Sequence, residues 1–233
     1  EGHLGGDVGS GNRRLLPGEM YPARDARVRA RFIVLASGLR VRIVEAGDEH
    51  AQPVVLVPGW GCGAWSFNHR IPRLSAGGYH VVAVELKGHG FSDKPGNENE
   101  YTLQSMAEHL LEILDALGFE RASLVGHSMG APIIYEAARA KPALVTHVVM
   151  IAPVGFRGVP GLWLYRALTP AFAISILPIL ARRIVIRLML EIAYGEISRP
   201  SKADIDEYWA PTQFAGFTRA LRHLLHAFTW KRY

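Results

Sequence analysis

Cysteine is nearly absent from this chain. The 233 residues contain one, Cys62, so an internal disulfide framework and a cysteine-rich metal site are both excluded. A run of basic residues is also lacking, although the formal net charge is +5. We interpret the excess of arginine as solvated surface charge that biases ligand approach, and we expect no nucleic-acid partner.

A membrane-spanning run is lacking as well. The apolar stretch 171–181 is too short to cross a bilayer and contains Pro178. Residues 1–12 are glycine-rich and have no apolar core of a secretory signal. We therefore expect no stable membrane insertion and a cytoplasmic location. Peripheral membrane contact is the alternative for the apolar region after residue 155.

Strands and helices alternate through the middle of the chain. Hydrophobic residues make up 49% of the sequence, enough for the core of one α/β domain. Alternating arginine and apolar residues predict a hairpin within 27–46, with the arginines on a solvated face. Strands are then predicted at 53–57, 80–84, 122–125 and 146–151, separated by helices at about 65–76, 103–117 and 129–140. This order predicts a parallel sheet covered on both faces.

Three parts follow from this pattern. Residues 1–26, rich in glycine, proline and arginine, predict an irregular N-terminal arm, and residues 27–155 carry the sheet. Residues 156–233 have no strand signal and predict a helical cap. Its apolar underside would be built from aromatic side chains, namely Trp163, Tyr165, Trp209, Phe214 and Phe217.

The stretch Gly126-His127-Ser128-Met129-Gly130 matches G-x-S-x-G between a predicted strand and a predicted helix. A strand that turns sharply into a helix strains the residue at its tip, and the flanking glycines let strand and helix pass closely. The Ser128 hydroxyl would then stand at the C-terminal edge of the sheet, beside free amides of the helix. A serine that merely caps the helix is the alternative interpretation.

A second glycine stretch, Gly59 to Ala64, follows a strand and matches G-x-G-x-x-A, with Glu85 near the end of the next strand. This is the arrangement of a dinucleotide site, so an NAD-binding oxidoreductase is a rival hypothesis. Pro58 lies between the strand and the glycines, and the helix is predicted after the glycines rather than within them. Both features count against that rival.

Three motifs in this order and spacing resemble the α/β-hydrolase superfamily: Leu56-Val57-Pro58-Gly59-Trp60-Gly61, Gly88-His89-Gly90-Phe91-Ser92-Asp93-Lys94-Pro95, and the Ser128 motif. The resemblance covers about residues 27–155. It implies a mostly parallel, doubly wound sheet with the hairpin at one edge and a helical cap inserted after the sixth strand.

The resemblance also implies roles for individual residues. Ser128 matches the nucleophile, and the backbone amides of Met129 and Trp60 match the two donors of the oxyanion hole. His127 matches a histidine that shapes the site, and Trp65, like Trp60, would wall the substrate pocket. Cys62 we interpret as a small packing residue rather than a thiol nucleophile.

The family's acid and base are not evident in this sequence. The family order is serine, then aspartate or glutamate, then histidine. Of the histidines after Ser128, His147 would open a strand at the wrong end of the sheet, and His223 and His226 fit a packed or exposed cap helix. Ala152 and Pro153 occupy the alternative acid position. We therefore expect that the last strands, the acid and the base are absent.

Two consequences follow from that expectation. The strand 146–151 would be an exposed apolar edge through which the chain could associate with another chain. Activity would be at most residual hydrolysis from the oxyanion site.

Hydrolysis of a small apolar carboxylic ester through an acyl-serine intermediate is the function we favour. Serine at position 128 argues against relatives that use aspartate there, the epoxide hydrolases and haloalkane dehalogenases. C–C bond hydrolysis, cofactor-free haloperoxidase chemistry and a non-catalytic binding fragment remain alternatives. No metal or cofactor is implied.

Overall fold

The computed structural model describes residues 14–23, 25–155, 159, 161–170, 172, 182–195 and 198–230. Within them lies one six-stranded sheet of order β1-β2-β4-β3-β5-β6. The strands are β1 Arg29–Val34, β2 Arg40–Ala46, β3 Pro53–Val57, β4 His80–Val84, β5 Ala122–His127 and β6 Val145–Ile151. β1, β2 and β4 pair antiparallel, whereas β4, β3, β5 and β6 run parallel. The predicted α/β class and the edge hairpin are confirmed.

Seven α-helices occur in the described residues: α1 Ile71–Ala76, α2 Leu103–Ala116, α3 Gly130–Ala140, α4 Leu162–Ala167, α5 Arg183–Tyr194, α6 Lys202–Trp209 and α7 Phe217–Ala227. Alternate residues of β3 and β4 point to opposite faces of the sheet. One face packs against α2 and α3, through Val55, Val57, Val82 and Val84. The other packs against α1, through Val54, Leu56, Val81 and Ala83. Both faces of β3 and β4 are therefore covered.

The prediction of one continuous helix at about 65–76 is wrong. A 3₁₀ turn, Ala64–Phe67, is separated from α1, which begins at Ile71. Pro72 explains the break, because a proline ring clashes with the carbonyl four residues earlier and donates no hydrogen bond. The next helix, α2, follows the prediction closely: Thr102 accepts from the Ser105 amide at 3.2 Å.

The predicted N-terminal arm, 1–26, is described only from residue 14 onward, without residue 24. Here a 3₁₀ turn, Pro17–Glu19, leads into Met20, which is buried with Phe91 and Ala210. The Arg14 guanidinium lies 3.9 Å from the centre of the Phe214 ring. This segment thus contacts both the sheet domain and the region predicted as the cap.

The described residues after 155 contain helices and no strand, and none of those helices has the length and apolar character needed to cross a membrane. The stretch 171–181 lies outside the described residues, except for Phe172. Trp209 and Phe217 are buried as expected of a cap underside, but Trp163 is 74% exposed and Tyr165 is also exposed. The prediction that both of these aromatics face inward is wrong. α4 is instead fixed by polar contacts, such as that of Arg166 with the Leu225 carbonyl at 2.9 Å.

β6 is an edge strand, and no described strand lies on its outer side. Its side chains Val148, Val149 and Ile151 are exposed, Val149 by 48%. The apolar edge expected at 146–151 is therefore present in the described part of the chain.

Candidate active site

Ser128 stands at a sharp turn between β5 and α3. Its φ is +53°, a conformation that costs a side chain about 1–2 kcal/mol. Glycine is required on either side of Ser128 for steric reasons. A Cβ on Gly126 would lie 2.5 Å from the Gly130 carbonyl oxygen, and one on Gly130 would lie 2.3 Å from that of Val57. β3, β5 and α3 can approach this closely only with glycine at both positions.

Backbone hydrogen bonds hold the strained residue in place. The Ser128 amide donates to the Ile151 carbonyl at 2.9 Å, and its carbonyl accepts from Ala131 at 3.1 Å and Val154 at 3.3 Å. The preceding residue, His127, is half-buried, and burial lowers the pKa of its imidazole. It is therefore neutral at pH 7. The turn thus rests on both the end of β6 and the start of α3.

The loop after β3, residues 59–65, lies directly against this turn. A Cβ on Gly59 would be 3.0 Å from Ser128 Cβ. The Cys62 amide closes a tight turn on the Gly59 carbonyl at 3.1 Å, with Gly61 at φ +72°. Within the part of the chain that the structure describes, the amides of Trp60 and Met129 donate to no protein acceptor. Neither predicted oxyanion donor therefore has a protein partner among the described residues, and Met129 as a residue is 0% exposed.

The side chains of loop 59–65 reach the helices after residue 155. Trp60 Nε1 donates to the Leu221 carbonyl of α7 at 3.1 Å, and Trp65 Nε1 donates to Asp204 Oδ1 of α6 at 2.9 Å. Burial alone would raise the pKa of Asp204, but hydrogen bonds from Ser201, Trp65 and Tyr194 lower it. Asp204 is therefore an ionised anchor for the Trp65 indole.

Cys62 behaves as a packed thiol. Burial raises its pKa, and Tyr208 Oη lies 3.7 Å from Sγ. Since the thiolate is the nucleophilic form, a protonated buried thiol is inert. This agrees with its interpretation as a packing residue.

Glu85 joins loop 59–65, which lies against Ser128, to the loop that carries His89. Its carboxylate accepts from the Ala64 amide at 3.2 Å and the Phe91 amide at 2.8 Å. A Cβ on Gly90 would lie 2.1 Å from Glu85 Oε2, so a glycine is needed there. Both carboxylate oxygens of Glu85 are bound by protein groups, and the side chain is buried. The acidic residue that favoured a dinucleotide site is therefore already used to hold the fold together.

The partner of Glu85 corrects a second expectation. Arg42, predicted on a solvated strand face, is 3% exposed and lies 3.0 Å from Glu85 Oε1. Position 42 on β2 is adjacent to position 85 at the end of β4, where the Glu85 amide donates to the Arg42 carbonyl at 3.0 Å. The charge of Glu85 draws this arginine inward.

The loop that carries His89 is rigidly packed. His89 is buried, its Nδ1 lies 3.3 Å from the Lys87 carbonyl, and burial lowers its pKa to about 4. Lys94 Nζ donates to the Gly90 carbonyl at 3.0 Å, and burial lowers its pKa to about 8. His89 is thus a neutral imidazole at pH 7.

The histidines after Ser128 have other partners. His147 Nδ1 lies 3.2 Å from Ser123 Oγ, His223 Nδ1 lies 3.1 Å from Glu98 Oε2, and His226 Nε2 lies 3.1 Å from the Thr169 carbonyl. His223 is also buried and stacked on a tyrosine ring. No histidine among the described residues is hydrogen-bonded to Ser128, and the described residues contain no cluster suited to a metal ion.

Comparison with known proteins decides the family. A family model described as the alpha/beta hydrolase fold matches residues 52–214. The chain belongs to the α/β-hydrolase family. The match includes loop 59–65, the His89 loop and the Ser128 turn.

Individual relatives of this α/β-hydrolase are similar over different lengths. Epoxide hydrolase A of Mycobacterium tuberculosis is 38% identical over 130 residues, which are 56% of this chain and 38% of that protein. The chain therefore spans well under half the length of that relative. An uncharacterized hydrolase of Bacillus subtilis, YugF, is 33% identical over 199 residues, 83% of this chain and 71% of the relative. The crystal structure of Epoxide Hydrolase A from Mycobacterium thermoresistibile superposes with a TM-score of 0.67 at 26% identity, covering 86% of this chain and 76% of that one.

One further carboxylate of this hydrolase escaped sequence reasoning. Glu207, on α6, accepts from the Tyr21 amide at 2.6 Å, and burial raises its pKa to about 7. Nothing in the local pattern of α6 signals this, because the burial comes from a segment more than 180 residues earlier in the chain. Glu207 joins the N-terminal segment to α6.

Proposed function

We propose that this α/β-hydrolase is a serine hydrolase that cleaves carboxylic esters through an acyl-serine intermediate. The observation that carries the proposal is Ser128, held at φ +53° between β5 and α3 with loop 59–65 against its Cβ. A strained serine in this position is the arrangement in which a hydroxyl is exposed beside two backbone donors. The coarser assignment, hydrolase of this family, does not depend on Ser128.

The proposed chemistry has two stages. Ser128 Oγ attacks the ester carbonyl carbon while a base takes its proton, and the carbonyl oxygen becomes an oxyanion facing the amides of Trp60 and Met129. The intermediate collapses, the alcohol leaves with a proton, and an acyl ester on Ser128 remains. Water then attacks that ester, which releases the acid and restores the hydroxyl.

We expect the base and its orienting acid to come from outside the described residues. The described histidines after Ser128 have other partners, and a serine hydroxyl without a base is a weak nucleophile. The described residues alone would support at most residual hydrolysis through the oxyanion site. A non-catalytic role in binding is the corresponding alternative for a protein that never acquires the base.

The proposed substrate is a small apolar ester. His127 borders Ser128, and Trp60 and Trp65 stand on the adjoining loop, so we propose that these three residues wall the acyl pocket. No metal or cofactor enters the proposed steps. C–C bond hydrolysis would use the same serine on a different substrate. Cofactor-free haloperoxidase chemistry would also use it, but hydrogen peroxide instead of water would attack the acyl-serine, and the peracid released would oxidise the halide.

Epoxide hydrolysis is a second candidate, favoured by the similarity to Epoxide hydrolase A over 130 residues. Serine at position 128 opposes it on chemical grounds. A carboxylate that opens an epoxide forms an ester, which water can cleave at the carbonyl carbon. A serine hydroxyl would form an ether, which has no carbonyl for water to attack, and turnover would stop.

The experiment is a paired assay of the full-length gene product with p-nitrophenyl butyrate and with styrene oxide. We expect ester hydrolysis that falls at least a hundredfold in Ser128→Ala and no turnover of the epoxide. Ser123→Ala is the matched control, because Ser123 is on the same strand and bonds only to β6 side chains. Epoxide turnover that survives Ser128→Ala would remove the proposal.

A further inference from the structure

The loop proposed to carry an oxyanion donor is tied to the cap through its own side chains. The Trp60 indole donates to the Leu221 carbonyl at 3.1 Å, the Trp65 indole donates to Asp204 at 2.9 Å, and the Tyr208 hydroxyl lies 3.7 Å from the Cys62 sulfur. All three partners belong to α6 or α7. The conformation of loop 59–65 therefore depends on where these two helices are seated.

Trp60 differs from Trp65 and Cys62 because its backbone and its side chain have separate roles. Its backbone amide is the proposed donor to the oxyanion, and its indole is the group held by α7. The Leu221 side chain reinforces the contact, since a Cβ on Gly61 would lie 3.9 Å from both of its methyl carbons. The peptide between Gly59 and Trp60 is thus fixed at one end by Ser128 and at the other by α7.

The acceptor for Trp60 is itself well defined. Leu221 lies in the middle of α7, Phe217–Ala227, so its carbonyl is oriented by the helix and has a second lone pair for the indole. Neighbouring residues of α7 are buried against the sheet domain, namely Ala220 and Leu224. A helix packed in this way acts as a rigid reference for the loop.

We propose that Trp60 is a positioning residue: its indole, anchored to the Leu221 carbonyl, aims its own backbone amide at the oxyanion of the substrate. The inference rests on the proposed function, and it makes the cap part of the catalytic geometry rather than only a cover. An amide displaced by a fraction of an ångström would lose much of its interaction with the transition state. It would change ground-state binding much less, so kcat should fall while KM changes little.

The test compares two substitutions in the full-length gene product. Trp60→Phe removes the indole donor and keeps both the ring and the backbone amide. Tyr101→Phe is the matched control, because it removes one hydrogen bond to a backbone carbonyl, that of Pro95 at 2.8 Å, keeps the ring and has no described contact with loop 59–65. We expect kcat to fall about tenfold in Trp60→Phe with KM within about twofold, and both constants to stay within about twofold in Tyr101→Phe.

A phenylboronic acid adds a readout that a purely structural role would not change. Its tetrahedral adduct with a serine places an oxygen in the oxyanion site, so its affinity should fall in Trp60→Phe in parallel with kcat. If Trp60→Phe does not fold, Leu221→Ala is the second variant: it keeps the carbonyl acceptor but removes the methyl groups that face Gly61 of the loop, and it should lower kcat in the same direction. If the wild type hydrolyses esters and Trp60→Phe leaves both kcat and the boronate affinity unchanged, this inference is overturned and the proposed function is not. Absence of ester hydrolysis in the wild type would overturn it together with the proposed function.

Discussion

The guanidinium of Arg42 lies 3.0 Å from the carboxylate of Glu85, and each side chain is only 3% exposed. The same carboxylate accepts from the amides of Ala64 and Phe91. One ion pair therefore holds together β2, the end of β4, loop 59–65 beside Ser128 and the loop that carries His89. Its loss should disturb stability and the proposed site together.

Replacing Glu85 tests this connection. We expect Glu85→Gln to lower the free energy of unfolding by about 3 kcal/mol, because Arg42 stays buried without a counter-charge. The amide group of glutamine would also face one of the two backbone donors. Urea denaturation measures the change. Glu49→Gln is the control, since the pair of Glu49 with Arg29 is exposed, at 3.5 Å, and should contribute under about 0.5 kcal/mol. Equal effects of the two substitutions would contradict the role given to Glu85.

Gly130→Ala tests the close approach behind Ser128. The new methyl group would lie 2.3 Å from the Val57 carbonyl oxygen, so β3 and α3 must separate. We expect a loss of about 3 kcal/mol in urea denaturation, at the upper end for overpacking. Gly18→Ala is the control, because no atom lies within 4 Å of its Cβ position, and it should change stability by less than about 0.5 kcal/mol. Similar stability of both variants would show that the turn tolerates a side chain.

Glu207 predicts a pH dependence of stability. Burial raises its pKa from 4.5 to about 7, so between these values the folded state binds the proton that the unfolded state has released. The contribution of Glu207 to stability is therefore complete below pH 4.5 and is lost as the pH rises to 7, by about 3 kcal/mol. Glu207→Gln removes the titration and keeps an acceptor for the Tyr21 amide. The free energy of unfolding of the wild type, minus that of Glu207→Gln, should fall across pH 5–8; a flat or rising difference would contradict the assignment.

The exposed edge of β6 predicts self-association of the polypeptide 1–233 studied by itself. We propose that a second copy of this polypeptide pairs along Val145–Ile151, because an apolar edge strand presents unpaired backbone groups. Val149→Lys should shift the sedimentation profile towards monomer at concentrations where the wild type associates. Val34→Lys, at an exposed position on the opposite edge strand, should leave the profile unchanged. A wild type that stays monomeric at all concentrations would show that this edge is inert.

The sequence predicted elements whose signal is local. The buried runs of β3 and β4 and the glycines around Ser128 each depend on a few neighbouring residues, and each was predicted close to its observed place. Arg42 and the helix broken near Pro72 were predicted incorrectly. Arg42 shares the alternation of an exposed stripe, and only its partner Glu85, just after β4 and 43 positions away, shows that it is buried.

The hydrogen bonds of the Trp60 and Trp65 indoles to α7 and α6 could not be predicted for a related reason. An indole that walls a pocket and one that donates to a helix carbonyl look the same in sequence. What separates them is the seating of α6 and α7 on the sheet domain, which depends on contacts between residues more than 130 positions apart.

Covalent labelling of Ser128 is the most direct test of the proposed function. The full-length gene product is incubated with a fluorophosphonate probe, and the modified peptide is located by mass spectrometry. We predict a single modified residue, Ser128, with labelling lost in Ser128→Ala and retained in Ser123→Ala. Labelling that persists in Ser128→Ala, or a wild type that the probe leaves unmodified while it cleaves its substrate, would contradict a serine nucleophile at this turn.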